Sequence, residues 1–576
     1  MKPQIKLFDV PPINSIQDML LKSSQLFSDK LALEDLTAYP ISQLSYKELL
    51  ENVLRFGKAL NQIGIKPRTH IALIGENRVQ WGLTYITAMS FNYVIVPIDK
   101  NLSSNEILNI IHESDSEAIV FSETFSSLLY ESRNALKKLK YFISMDLKSK
   151  DDWAYSMPQL IRDTSPSAIS ELPKIQPEEL SEIIFTSGSL GRAKGVMLSQ
   201  KNLASNLMSM TSMIKIDKND RFLSVLPIHH TYECTCGLLC PLYMGSSVHY
   251  ARSLKTIAED MQKAKPTIFL GVPLLYDKLF KRIMKGIEED KIKSIVVPPL
   301  LKISSFAGRI GLKNLSKKLF KELHEKFGGN VRLFIVGGSA PDPMVAKGMR
   351  EFGFNFVQGY GLTETSPILT LNQIDNFKDE AAGIPLPGVE IKINNPDSDG
   401  IGEICAKGPN IMLGYYKNAE LTNEVLEQGW FKTGDLGFFD KEGFLQIAGR
   451  KKNVIIAKDG HNVFPEELED MLNKSPYIME VLVCGEKDSK HDEIIAAQIV
   501  IDAEAVIDYS NKKNVPITKE LINEIIGNEI KEVNKGLPVY KQIRKFYIRE
   551  KEFEKTTTQK IKRYLVDKET EVGEEL

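Results

Sequence analysis

A chain of 576 residues with 43% hydrophobic and 26% charged residues has the composition of a globular protein and is too long for one hydrophobic core; length alone points to about two to four domains. Its net charge of −2 exerts no global pull toward nucleic acid. No apolar run approaches the roughly 18 residues of a membrane span, and MKPQIKLFDVPPINS at the start lacks the apolar centre of a signal peptide, so a cytoplasmic protein is expected.

In chain order, HIALIGE (70–76), YVIVPID (93–99) and EAIVFSE (117–123) read as buried parallel strands between amphipathic helices. The alternation returns in SVLPI (224–228), SSVHYA (246–251), TIFLGV (267–272) and RLFIVGG (332–338). That is an α/β pattern, with parallel sheets covered by helices on both faces. From about Pro385 shorter strands and turns indicate a β-rich subdomain. After Arg450 a small α+β unit follows, with strands VIIA (454–457), EVLVCGE (480–486) and EIIAAQIVI (493–501) and a helix near 519–534. We expect a large N-terminal domain over 1–449, a mobile C-terminal domain over 450–576, and a hinge near Lys452 between them.

Five cysteines in so long a chain suit a reducing compartment without a disulfide framework. Cys234, Cys236 and Cys240 lie close together, but their C-x-C-x-x-x-C spacing falls in an apolar run and has no fourth ligand. Buried structural thiols are expected there.

The richest segment is FTSGSLGRAKGVMLS (185–199). Gly188, Gly191 and Gly195 let the backbone turn its N–H groups toward an anion; Thr186, Ser187 and Ser189 add hydroxyls and Lys194 a cation. It is not a Walker A loop, because Gly195 follows Lys194. Alone, the same composition would serve a solvated turn. It is followed in order by VQGYGLTETSP (357–367), GWFKTGDLG (429–437), AGRKKNVII (448–456) and KTTTQKIKR (555–563). Together these motifs resemble the AMP-forming acyl-adenylating superfamily of acyl-CoA synthetases, amino-acid adenylation domains and luciferases. The resemblance runs from LSYKELL, beginning at Leu44, to Lys560.

The resemblance implies ATP, Mg²⁺ and coenzyme A as cofactors and assigns roles by position. Thr186, Ser187, Gly188, Ser189, Gly191 and Lys194 would grip pyrophosphate. Leu190 and Ala193 depart from the threonine and proline usual there, removing a hydroxyl contact and some rigidity. Glu364 would hold Mg²⁺ and Thr363 would touch the α-phosphate. Tyr360, with Gly361 beside it, would stack on adenine against a wall of Gly338, Ser339 and Ala340. Asp435 and Arg450 would take the ribose hydroxyls. Lys560 would bridge the substrate carboxylate and the α-phosphate, although Gln559 replaces the usual glycine. After rotation about Lys452, the 458–465 segment would swing in and Gly460 would line a pantetheine tunnel.

LPIHHTYE (226–233) is similar to the LPxxHxxE pattern of long- and medium-chain fatty acyl-CoA synthetases and places His230 near the acyl carboxylate. A buried core histidine would look the same. KPTIFLGVPLLYDKL (265–279) has the apolar character of an acyl-tunnel wall or, equally, of an ordinary buried strand and helix. The expected activity is a long-chain fatty acid:CoA ligase. Two alternatives stay open: a synthetase that loads an acyl carrier protein, and a non-catalytic member suggested by Leu190, Ala193 and Gln559. Finally, 278–332 holds 14 Lys/Arg and 5 Asp/Glu, a local net charge of +9, interleaved with VVPPLL and FAGRIGL. Solvated surface helices or peripheral contact with an anionic membrane would both explain it.

Overall fold

The computed structural model describes residues 5–37, 42–186, 193–309, 313–457, 461–487, 493–556, 560–566 and 574–575. Its backbone contacts divide the chain into two compact units. The first comprises Met1–Ile391, Ala406–Phe431 and Asp440–Leu445; the second comprises Lys392–Cys405, Lys432–Phe439 and Gln446–Leu576.

Among the described residues, two large sheets build the first unit. One has eight strands in the spatial order Gly414–Tyr415, Lys194–Ser199, Leu180–Thr186, Val94–Pro97, His70–Ile74, Ala118–Phe121, Tyr141–Ser144 and Tyr155–Ser156. Pairing is parallel from Leu180–Thr186 onward and antiparallel on its other side, where Leu180–Thr186 and Lys194–Ser199 form a hairpin. The other sheet has nine strands, and six of them run parallel: Asn355–Gly361, Leu333–Val336, Ile268–Gly271, Arg221–Ser224, Ser247–Tyr250 and Leu31–Asp35. The expected parallel strands are therefore present, apart from SVLPI (224–228).

The helix Val79–Ser90 shows how sequence selects this layering. All twelve of its residues are buried, and it contacts strands of both sheets. A helix apolar on every side needs covering on every side. Helix Tyr46–Gln62, by contrast, is amphipathic and starts at a capping box, with Glu48 accepting from the Ser45 backbone at 2.8 Å.

One expected strand is corrected. Strand pairing ends at Ser224, and 225–228 is a loop. Asn77 replaces the ladder there: its amide donates to the Leu226 carbonyl at 2.6 Å and its Oδ1 accepts from the Ile228 N–H at 3.3 Å. Backbone groups satisfied by a side chain need no neighbouring strand.

In the second unit, Ile478–Lys487, Glu493–Ile501 and Ile543–Arg549 form a sheet with Glu574–Glu575. Helices Pro465–Leu472 and Lys519–Lys535 bury Leu468, Leu472, Ile526 and Ile530 in this unit's core. Strand Trp430–Phe439, with Leu445–Arg450 beside it, carries Asp435 and Arg450.

Candidate functional site

In a parallel sheet, crevices form at the carboxyl ends of the strands, especially where strand order reverses. In the nine-stranded sheet Arg221–Ser224 lies between Ser247–Tyr250 and Ile268–Gly271, so the chain steps to one side and then returns past its start. The carboxyl ends of four adjacent strands and the loops leaving them hold His230, Val272, Gly338–Ala340 and Tyr360–Glu364. Val336 pairs in register with Gln358, which sets the Gly338–Ala340 turn beside the strand end bearing Tyr360 and Gly361. Gly338 has φ +92°, a left-handed conformation suited to glycine, and a Cβ there would meet only Val272 Cγ1, at 3.7 Å. Gly338, Ser339 and Ala340 are exposed and Tyr360 is half-buried. A flat ring could therefore approach that backbone with little obstruction.

Gly361 has a structural reason of its own. A Cβ on it would lie 1.8 Å from the Pro367 carbonyl oxygen. Glycine lets the strand pass directly over the turn that follows. That turn, Thr363–Thr365, is a single 3₁₀ segment. Thr365 pins it: its hydroxyl accepts from the Leu362 N–H at 2.9 Å, and Asn410 donates to the Thr365 carbonyl at 2.9 Å. Thr363 is buried and Glu364 half-buried.

Glu364 and Lys194 meet through a residue the motifs do not single out. The Tyr415 hydroxyl donates to Glu364 Oε1 at 2.8 Å, and the Lys194 ammonium sits 5.4 Å from the centre of the Tyr415 ring. Gly414–Tyr415 adds a short edge strand to Lys194–Ser199, with Tyr415 opposite Val196, and Lys194 itself pairs across the hairpin with Thr186. Thr186, Lys194, Tyr415 and Glu364 thus form one connected cluster. Among the described residues no hydrogen bond engages Glu364 Oε2. One held and one open carboxylate oxygen beside a cation suit Mg²⁺ bound together with phosphate. The sequence signal was the aromatic pair in GYYKN (414–418), which has no local pattern to give it a role.

The pyrophosphate-loop residues Ser187, Gly188, Ser189, Leu190 and Gly191 lie outside the described residues, as do Gly460 and Gln559. Ala193 is exposed.

His230 is half-buried. Its Nδ1 accepts from the Tyr232 N–H at 3.2 Å, so the neutral ring carries its proton on Nε2. The preceding His229 sits 3.6 Å from Asp99, and burial keeps its pKa below the usual histidine range despite that carboxylate. After His230 the chain coils into Tyr232–Leu239, a π-helix with every residue buried. Glu233 there is 2% exposed, and burial pushes its carboxyl up to about 8 against a hydrogen bond with Ser224. Glu182, on the strand leading into the glycine-rich loop, is likewise pushed up to about 8 by burial, opposed by the Tyr85 hydroxyl that donates to it at 3.1 Å. Neither buried acid was expected to be neutral. Burial also raises the Cys234, Cys236 and Cys240 thiols, disfavouring the thiolates a metal would need.

The second unit gathers a separate set. Asp435 is buried, and Arg450 Nε lies 2.7 Å from its Oδ1. Thr433 accepts from the Asp435 N–H at 3.1 Å and donates to the Ile404 carbonyl at 2.8 Å, fixing the strand beneath the carboxylate. The Thr556 N–H donates to the Lys560 carbonyl at 2.8 Å, and Lys555 pairs with Ile561 in an antiparallel bridge. Ion pairs brace the chain on either side of that bridge: Lys555 with Glu480, and Arg563 with Glu469. Lys560 keeps an exposed surface, and partial desolvation still acts on its titration. Burial first, then the Arg450 charge, hold its pKa below the usual lysine range, and Asp435 opposes them. Lys452 is exposed in the turn Lys451–Asn453. Asp435, Arg450 and Lys560 are thus within electrostatic reach of one another.

Residues 21–416 match the family model described as AMP-binding enzyme. Fatty acyl-CoA synthetase A of Dictyostelium discoideum is 30% identical over 569 residues, spanning 91% of this chain and 82% of the relative. Long chain acyl-CoA synthetase 2 of Arabidopsis thaliana is 28% identical over 515 residues, 82% of this chain and 75% of the relative. The chloroplastic long-chain-fatty-acid–[acyl-carrier-protein] ligase AEE15 of the same plant is 28% identical over 561 residues, 84% of this chain and 76% of the relative. Among solved structures, the anthranilate CoA ligase AuaEII in complex with anthranoyl-AMP has a TM-score of 0.76 at 20% identity, covering 96% of this chain and 97% of the other. The o-succinylbenzoate CoA synthetase of Bacillus subtilis in complex with ATP and magnesium ion has a TM-score of 0.70 at 22% identity, covering 95% and 98%. At these identities the likeness to the solved structures is one of fold.

Proposed function

Because the chain belongs to the AMP-binding enzyme family, we propose that it activates a long-chain fatty acid with ATP and passes the acyl group to coenzyme A. The observation that carries this reading is the Thr186–Lys194–Tyr415–Glu364 cluster, a cation and a half-engaged carboxylate fixed at the mouth of a glycine-rich loop. The names of the relatives and the LPIHHTYE segment favour a fatty acid as the substrate.

In the first step the fatty carboxylate attacks the α-phosphorus of ATP and the bond to pyrophosphate breaks, leaving an acyl-adenylate. Lys194 and the loop would hold the departing pyrophosphate, and Thr363 the α-phosphate. Tyr360 and the Gly338–Ala340 turn would sandwich adenine. Asp435, oriented by Arg450, would accept ribose hydroxyls, and Lys560 would offset charge between carboxylate and α-phosphate. Mg²⁺ held by Glu364 would supply further charge neutralisation on the phosphates. His230, with its Nε2 proton, would donate to the acyl carboxylate. In the second step the CoA thiolate attacks the acyl carbonyl and AMP leaves. For that exchange of partners the small domain, 450–576, would turn about Lys452 relative to 1–449, and Gly460 would meet the pantetheine.

The carrier-protein ligase among the relatives favours one second reading, in which a protein-bound phosphopantetheine replaces CoA. We place the enzyme in the cytoplasm, with the basic 278–332 segment touching an anionic membrane face; among the described residues no helix is long and apolar enough to cross a membrane. ATP–pyrophosphate exchange across fatty acids of increasing length, followed by transfer to CoA or to holo carrier protein, tests the reading. No exchange with any fatty acid would overturn it.

A further inference from the structure

Parallel neighbours need a crossover of only a dozen residues or so, usually one helix. Between the adjacent parallel strands Ile268–Gly271 and Leu333–Val336 the chain instead runs through 272–332, with four helices among the described residues. The second of these, Lys293–Arg309, has two apolar faces. Its inner face carries half-buried Val297, Leu300 and Leu301, packed on the unit's aromatic core, and buried Ser304, whose hydroxyl is 2.6 Å from that of Ser316. Its outer face carries Ile295, Val296, Ile303 and Phe306, which are 75%, 46%, 50% and 64% exposed, with Ile292 just before the helix at 74%. These positions recur at three- and four-residue steps and fall on one side of the helix. A surface helix ordinarily turns charge, not isoleucine and phenylalanine, toward water.

Exposed cations lie beside this apolar face and on the helix before it. Lys302 falls along one border of it by helical phase, Lys291 lies in the turn just before the helix, and Lys278, Lys281, Arg282 and Lys285 form an i, i+3, i+4, i+7 stripe on the neighbouring helix Pro273–Glu288. The +9 of 278–332 sits in a chain of net −2, so the positive charge is concentrated rather than general.

We propose that the outer face of Lys293–Arg309 is a membrane-inserting surface, its apolar side chains entering an anionic bilayer while the flanking lysines contact headgroups. This rests on the membrane reading of the basic segment and names the element that enters. A second copy fits poorly, because a symmetric interface would set one basic patch against another. Apolar area with cations beside it matches anionic lipid on both counts.

Flotation with phosphatidylcholine vesicles containing 30 mol% phosphatidylglycerol, against pure phosphatidylcholine, provides the test. The full-length protein should bind the anionic vesicles. Ile295→Ser/Phe306→Ser should weaken binding about tenfold or more, the scale of two apolar side chains losing burial. Lys291→Glu/Lys302→Glu should weaken it and reduce its salt dependence. In Phe306→Trp the indole emission should shift to the blue on adding anionic vesicles. Unchanged thermal unfolding and octanoate-dependent pyrophosphate exchange would confirm that the variants fold. Anionic-vesicle binding that the apolar pair leaves intact would overturn insertion while sparing electrostatic contact. No binding by the unmodified protein would overturn both. A lipid-free dimer abolished by the apolar pair would assign the face to self-association instead.

Discussion

The Tyr415 hydroxyl donates to Glu364 Oε1 at 2.8 Å across 51 residues of sequence, and the same ring lies under the Lys194 ammonium. One tyrosine thereby orients the acid and the base assigned to metal and phosphate. Tyr415→Phe keeps the ring and loses the hydrogen bond. A hydrogen bond to a charged group contributes about 1.5–3 kcal/mol, so the apparent affinity for Mg–ATP should fall roughly 10- to 100-fold. Tyr415→Ala should cost more, since Lys194 loses its platform as well. Pyrophosphate exchange titrated with Mg–ATP measures this, and unaltered affinity in Tyr415→Phe would remove the tyrosine from the site.

Gly361→Ala would press a methyl group onto the Pro367 carbonyl, where the available separation is 1.8 Å. Either strand or turn must shift, and the turn carries Thr363 and Glu364. We expect destabilisation of about 1–3 kcal/mol, the range for overpacked sites, and a larger proportional loss of ATP affinity than of fatty acid affinity. Thermal unfolding with and without ATP separates the two effects. A stable variant with normal nucleotide affinity would show that the turn tolerates displacement.

Lys560→Ala should slow acyl-adenylate formation by roughly 10²–10³ while sparing thioester formation from preformed acyl-adenylate. The lowered pKa of Lys560 adds a pH signature. Its protonated form is the useful one, so adenylation should decline on the alkaline side at a pH below the roughly 10.4 of a free lysine, and Lys560→Ala should abolish that limb. Lys452→Pro should give the reverse selectivity if the free enzyme rests in its adenylating arrangement: acyl-adenylate forms and transfer to CoA collapses. Single-turnover assays of each step distinguish the two variants, and equal losses in both steps would argue against separate roles.

Glu182 and Glu233 link stability to pH. Unfolded, a glutamate releases its proton near pH 4.5; folded, each holds it to about 8. Between those values the native state binds more protons, so this contribution to stability is full below about 4.5 and is lost as pH rises toward 8. Glu233→Gln keeps the shape without the ionisation. It should flatten the pH dependence and be the more stable protein at pH 8.5, by on the order of a few kcal/mol. Urea unfolding at pH 6 and 8.5 tests the sign; a variant less stable than wild type at the higher pH would contradict it.

The order of the glycine- and lysine-bearing motifs, the alternation of apolar strands with helices, and the strands and helices that follow Arg450 were legible in the sequence because each is a local pattern. Strand Glu493–Ile501 and helix Lys519–Lys535 fall where periodicity put them. What tertiary structure decided are the pairings with no local signature. Tyr415 reaches Glu364 only because a two-residue edge strand locks onto Lys194–Ser199. Asn77 ends the strand at Ser224 by satisfying backbone from more than a hundred residues away. Gly361 resembles a ligand-facing glycine in its motif, and only the approach of Pro367 gives it a packing reason. Helix Lys293–Arg309 is apolar on opposite sides, and periodicity cannot say which side the core will take. Local patterns encode which elements form, but contacts across long loops depend on which elements the chain brings together, and that is a property of the whole packed molecule.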